Sequence, residues 1–208
     1  MKHFIDLGTH KFEGLQSFIK VYGIDSSWKV HCFEPNPIIF DEALTVLDRL
    51  SQYNITFHNK AIMHENGSIT IKCRTGAYVD GVFKKAFTMG STVLDTPVME
   101  KMNEKNEKME FTYEDREVES YDINEFLNTI CTEDPAAEIY IKCDIEAAEF
   151  VVLPRLLESE HLSKIKDMHI EWHERFWSDP EENAERRYEK AAIEEQLKSL
   201  GIKYYRHG

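Results

Sequence analysis

The chain has 208 residues, of which 42% are hydrophobic and 30% charged, with 9 glycines and 6 prolines. That length suits one domain with a sizeable core, and the composition excludes disordered, collagen-like and coiled-coil classes. Its 25 basic and 38 acidic residues leave a net charge of −13, which disfavours nucleic acid as a partner. No apolar run approaches the roughly 20 residues that span a bilayer, so no membrane partner is expected.

Strand-length apolar runs alternate with segments of helical period, the pattern of a parallel sheet with helices on both faces. His3 to Leu7 is the first predicted strand and ends in Asp6-Leu7-Gly8. Leu15, Phe18, Ile19 and Tyr22 then recur at helical spacing before Gly23. Trp28 to Phe33 is a second strand ending at Glu34, and Asn36-Pro37 supply a cap and first-turn proline for a helix facing inward through Phe40, Ala43, Leu44, Leu47 and Leu50. Ile55 to His58 gives a short third strand; Ser68 to Cys73, after a His64-Glu65-Asn66-Gly67 turn, suggests an antiparallel hairpin.

Asp95 to Glu117 is dense in Glu, Lys and Asn and reads as a charged insertion, solvated or forming a short surface helix. Asp122 and Glu125 have capping-box spacing before Phe126, Leu127 and Ile130. Ile139 to Lys142 is a buried strand ending at Asp144, and Ala147 to Leu157 a helix that Pro154 should kink or split. Met168 to Trp172 is a further strand, Arg186 to Leu200 a charged helix closed by Gly201, and Ile202 to Tyr205 a last strand. Cys32, Cys73, Cys131 and Cys143 form no C-x-x-C pair, and no signal-peptide apolar region follows Met1. Reduced thiols in a cytoplasmic protein are the expectation.

In an open parallel sheet, ligands bind beyond the carboxyl ends of the strands, near the point where strand order reverses. Asp6, Gly8, Glu34, Asn59, Asp144, Glu146, Glu171 and His173 all stand at such ends. A glycine after the first strand lets backbone approach a ligand, while an acidic residue ending the second can accept both hydroxyls of a ribose. The pair fits an adenosine-containing cofactor. A dinucleotide needs a G-x-G-x-x-G turn, and Gly8-Thr9-His10-Lys11-Phe12-Glu13-Gly14 lacks it.

Asp6-Leu7-Gly8, Phe33-Glu34-Pro35-Asn36-Pro37, Asn59-Lys60-Ala61, Met89-Gly90-Ser91, Lys142-Cys143-Asp144-Ile145-Glu146-Ala147-Ala148-Glu149 and Ile170-Glu171-Trp172-His173 follow the order found in FkbM-type S-adenosylmethionine-dependent methyltransferases, which the chain resembles over most of its length. The resemblance implies a Rossmann-like class I methyltransferase fold, and methyl transfer to a hydroxyl of a sugar or other small metabolite. It implies that Asp6, Gly8 and Thr9 border the methionine end of the cofactor and that Glu34, followed by Pro35, holds the ribose. Asn59 and Ala61 would lie beside the adenine, and Asp144 would face the reacting methyl. Phe12 and Ala147 stand where the family usually has glycine, and the chain ends before the usual antiparallel seventh strand could form.

A neutral hydroxyl is a poor nucleophile, so a base or a metal should stand near the methyl. Asp144, Glu171 and His173 are the catalytic candidates. His169, Glu171 and His173 alternate, so in a strand they share a face and with Asp144 could ligate a divalent metal, although their spacing is no recognised metal signature. A metal-free His173 base and purely positioning roles stand beside that reading. Lys60 and Lys142 invite comparison with ribose 2′-O-methyltransferases, against which stand the missing second lysine near Glu171 and the acidic net charge; Lys142 reads rather as a strand residue paired with a neighbouring carboxylate. His10, Phe176 and Trp177 are candidates for an acceptor pocket, and the segment after Ser91 for its cover. A methyltransferase fold serving only as a binding module is the alternative of another class.

Overall fold

All five residues from His3 to Leu7 are buried, as a strand covered on both faces requires. They belong to β1 (Lys2–Leu7), the centre of a sheet in a computed structural model that describes residues 1–85, 91–92, 109–177 and 179–207. β2 (Lys29–Phe33) and β3 (Ile55–His58) extend it on one side; β8 (Glu138–Cys143), β9 (Ile165–Glu171) and β10 (Lys203–His207) on the other. The order is β10-β9-β8-β1-β2-β3, and every pairing is parallel. The chain therefore has the Rossmann-like α/β fold expected of it. Among the described residues no antiparallel strand separates β9 from β10.

The helices follow their cap chemistry. α1 (Leu15–Tyr22) ends at Gly23, whose φ of 62° needs no Cβ. α2 (Pro37–Leu47) starts where Asn36 accepts a bond from the Ile38 N–H. Its buried face is Ile39 and Ala43, whereas Leu44, expected inside, is 42% exposed. Ile39, which the apolar pattern does not include, lines the cavity described below. α3 (Ile123–Glu133) is capped by Asp122, which accepts from Asn124 and Glu125 N–H groups. α4 (Glu149–Leu156) runs through Pro154 unbroken. Proline is tolerated there because it lies within the second turn of an eight-residue helix and forfeits little. α5 (Pro180–Ser199) begins six residues earlier than the apolar pattern suggests, at an Asp179-Pro180 cap.

One apolar cluster, including Phe4, Phe12, Leu15, Phe18, Trp28 and Ala43, fills the α1/α2 face of the sheet. The other, including Ile5, Leu127, Ile141, Leu153, Ile170 and Leu197, fills the face toward α3, α4 and α5.

A second sheet comprises β4 (Ala61–Met63), β5 (Gly67–Val79), β6 (Val82–Lys84) and β7 (Met109–Asp122), in the order β4-β7-β5-β6. β5 and β7 form a long antiparallel pair, and β4 pairs with β7 in parallel, so the strand after the 64–67 turn does not pair with the one before it; its partners are β7 and, at its far end, β6. Residues 109–117 of the expected charged insertion are thus strand, their charges lying across the ladder: Lys72 pairs in register with Asp115. Residues 95–108 and the Met89-Gly90 dipeptide lie outside the described residues. No described helix is long and apolar enough to cross a membrane.

Candidate active site

Strand order reverses between β1 and β8, whose ends Leu7 and Cys143 are register partners. At this switch point a cavity opens, bordered by Gly8, Glu34, Ala61, Ser91, Asp144 and Glu146.

One end is built on Glu34. It is 6% exposed, and each carboxylate oxygen accepts one backbone N–H: Oε2 from His10 at 3.0 Å and Oε1 from Asn36 at 2.9 Å. Burial pushes its pKa up to about 7, against the opposing pull of those two donors. A carboxylate offers about four acceptor positions, so two remain for a ligand. Phe33, Pro35, Ile39 and Ile62 make an apolar slot beside it. Asn59 stays behind this wall, its amide donating to the carbonyls of Glu34 (2.8 Å) and Pro35 (3.2 Å).

The floor is a buried ion network. Lys142 lies 3.3 Å from Asp6 Oδ1 and 3.2 Å from Asp144 Oδ2, and donates to the Gly8 carbonyl at 2.8 Å. Burial opposes its charge, but the two carboxylates outweigh it and raise the lysine pKa. Asp6 Oδ2 accepts from the Thr9 hydroxyl at 2.7 Å. Asp6 and Thr9, expected beside the ligand, are buried and brace the loop under it; neither borders the cavity.

Behind the Asp144–Glu146 edge of the cavity lies His173, which is 1% exposed and, like Glu171, does not itself border the cavity. Its Nδ1 is 2.8 Å from Glu149 Oε1, which also accepts the Ile145 N–H at 3.0 Å. Its Nε2 faces Glu146 Oε2 at 3.5 Å, Glu171 Oε1 at 3.6 Å and Asp144 Oδ1 at 3.8 Å. Burial disfavours the imidazolium, yet Glu149, Glu146 and Asp144 outweigh it and raise the His173 pKa. Burial raises that of Glu146 as well.

Two strained loops hold these parts of the site. His10 and Phe12 (φ 49° and 65°), and Glu146 and Ala147 (φ 51° and 82°), take left-handed backbone that favours glycine. Phe12 and Ala147 thus keep the conformation a glycine would adopt. Phe12 is fixed there by its fully buried ring, 4.8 Å from Phe57.

Of the predicted residues, Gly8, Glu34, Pro35, Ala61 and Asp144 border the cavity, with Asp144 joined to His173 and Glu171 at one end. His169 does not join them; its Nε2 bonds the Tyr22 hydroxyl at 2.8 Å and its ring stacks on Tyr205. Lys142 is carboxylate-paired, and Lys60 lies 2.8 Å from Glu119. His10 borders the cavity, Phe176 lies 5.0 Å from the His173 ring, and Trp177 packs on Phe150. Ser91 Oγ accepts from Asn36 Nδ2 and the Arg74 N–H, tying the second sheet to the rim. The sequence pattern places Glu146 at a strand end and assigns Glu149 no role in the site. Their spacing from Asp144 was visible, but not the loop that turns all three toward His173.

The methyltransferase FkbM domain family matches residues 6–204, and the chain belongs to that family. It is a methyltransferase-family protein by that membership. Among solved structures, a crystal structure of methyltransferase FkbM from Methylobacillus flagellatus KT is similar, with 16% sequence identity and a TM-score of 0.50. That similarity covers 92% of this chain and 38% of the bacterial one, so the chain spans well under half of that protein's length. No curated protein matches the chain.

Proposed function

We propose that the chain is an S-adenosylmethionine-dependent O-methyltransferase acting on a hydroxyl of a small molecule, a sugar or another metabolite. The observation that carries this is Glu34: a carboxylate at the end of β2, facing the cavity with half its acceptor positions left for a ribose diol. The site residues fit such a cofactor. The apolar slot of Phe33, Pro35, Ala61 and Ile62 suits a base, and the Asp144–Glu146 end suits a cationic sulfonium and ammonium. Asp6 and Thr9 would act on the methionine end through the loop they brace, and Asn59 on the adenine through the Glu34-Pro35 turn it holds.

The cofactor supplies a methyl group already activated by positive sulfur. What remains for the protein is to align a hydroxyl and draw off its proton. Asp144, Glu171 and His173 are the groups for that role, as proton acceptor or as holders of a cation that activates the hydroxyl: Asp144 borders the cavity, with His173 and Glu171 packed behind it. Four buried, unpaired cysteines support a reducing, cytoplasmic setting. The acidic charge supports a small acceptor rather than nucleic acid. Calorimetry with S-adenosylhomocysteine tests the reading: saturable one-site binding is expected, weakened at least tenfold by Glu34→Ala. A folded wild-type chain that takes up no heat refutes it.

A further inference from the structure

We propose that Asp144, Glu146 and His173 form a divalent-cation site at the acceptor end of the cavity. The inference deepens the function proposed above and rests on it for the meaning of that end, but its geometry is independent. One donor atom from each of the three lies within 4.8 Å of the others.

The His173 Nε2 has three carboxylate oxygens at 3.5, 3.6 and 3.8 Å and, among the described residues, makes no hydrogen bond to any. These separations are long for an N–H to oxygen bond. They are close to the spacing of donors sharing a cation: ligand bonds of about 2.0–2.3 Å put neighbouring donors roughly 3–3.7 Å apart. Glu146 at 3.5 Å already fits and Asp144 at 3.8 Å nearly does, while the 4.8 Å span of the triad has to close by about 1 Å on the ion. The nitrogen belongs to a residue almost wholly buried and aimed into the cluster.

The outer contacts point the same way. Glu149, fully buried, holds Nδ1 at 2.8 Å and thereby directs the Nε2 lone pair toward the carboxylates, as the carboxylates behind metal-binding histidines do. Asp144 is held by Lys142 through its other oxygen, and Glu171 by Arg175 at 3.2 Å. Four carboxylates surround one imidazole, an excess of negative charge that a dication would balance. Two carboxylates and one imidazole favour a metal accepting mixed oxygen and nitrogen donors, such as Mn²⁺ or Zn²⁺, over Ca²⁺. A cation there would lower the pKa of a hydroxyl bound beside it, and Glu171, outside the triad, is placed to take the proton.

The test is Mn²⁺ titrated into EDTA-dialysed protein, followed by calorimetry and by the loss of free-ion electron paramagnetic resonance signal. One ion per chain is expected. Glu146→Gln and His173→Gln should each weaken binding at least tenfold, and Glu149→Gln tenfold to a hundredfold through the misdirected imidazole. Glu171→Gln should change it less than about threefold. Absence of saturable binding by folded wild type overturns the site. Unchanged affinity in Glu146→Gln, a partly exposed position whose variant should fold, overturns it equally. S-adenosylhomocysteine titrated in EDTA separates the two readings: binding there with no Mn²⁺ site removes only this proposal, and the converse removes only the cofactor reading.

Discussion

A Cβ built on Gly8 would lie 1.9 Å from the carbonyl oxygen of Asp144. The loops after β1 and β8 therefore touch backbone to backbone, and this contact sets the cavity floor between Glu34 and the Asp144–Glu146 edge. With φ at 77°, Gly8 also occupies backbone that any side chain would strain. Gly8→Ala must push the β8 loop away. A loss of about 2–4 kcal/mol is expected from overpacking and strain together. Urea denaturation measures it; a stability within 1 kcal/mol of wild type, with cofactor-product binding intact, would show that the floor yields freely.

Ala147 poses the reverse case. Its φ of 82° costs an L-residue about 1–2 kcal/mol, whereas introducing glycine costs about 0.4–1 kcal/mol of unfolded-chain entropy. Ala147 is also fully buried, so losing its methyl costs about 0.8 kcal/mol. Ala147→Gly should therefore stay within about 1 kcal/mol of wild type, and Ala147→Val should destabilise the protein by more than that. Thermal melts of the two variants in parallel decide the matter, and a glycine variant destabilised by more than about 1.5 kcal/mol would contradict the strain.

Glu34 should make cofactor affinity depend on pH. A ribose diol donates to the carboxylate, so the ionised form binds, and burial holds its pKa up at about 7 in the free protein. Affinity for S-adenosylhomocysteine should rise as pH climbs from 6 to 8 and then level off. Glu34→Gln should bind about 10- to 100-fold more weakly, the loss of a charged hydrogen-bond acceptor, and show a flat profile. Calorimetry at pH 6, 7 and 8 reads both; a slope retained by the glutamine variant would assign the titration elsewhere.

The parallel sheet was legible because its strands are continuous apolar runs closed by polar residues, as at Ile139 to Asp144. The caps at Asn36 and Asp122 were legible because their chemistry is local. β7 was not, since its central residues, Glu114 to Glu117, are all exposed and charged and gain their strand conformation from pairing with β5. The start of α5 was missed for a related reason: its first buried apolar residue is Ile193, so periodicity was silent although Asp179-Pro180 was a readable cap. Strand ends pointed to Gly8, Glu34 and Asp144, which border the cavity, and to Glu171, which lies behind it beside His173. The convergence of Glu146 and Glu149 on His173 depends on two left-handed residues in a tight loop, which no sequence period encodes.

His31 should set the acid limit of the fold. Its ring lies between those of His3 and His58 on the three adjacent strands, with Phe126 at its edge. Burial brings its pKa down to about 3, helped by His3, His58 and Lys29. The unfolded chain binds a proton there below its ordinary pKa near 6.5 and the folded one does not, so stability is complete above pH 6.5 and falls as pH drops. One such residue gives a slope of about 1.4 kcal/mol per pH unit, hence about 2 kcal/mol between pH 7 and pH 5. Burial lowers the pKa of His3 and His58 too, steepening the fall, although Asp134 opposes it at His3. Urea denaturation at the two pH values should show that difference in the wild type and a difference about 2 kcal/mol smaller in His31→Gln. Identical pH dependence in the two proteins would mean that the histidine stack is protonated without opening.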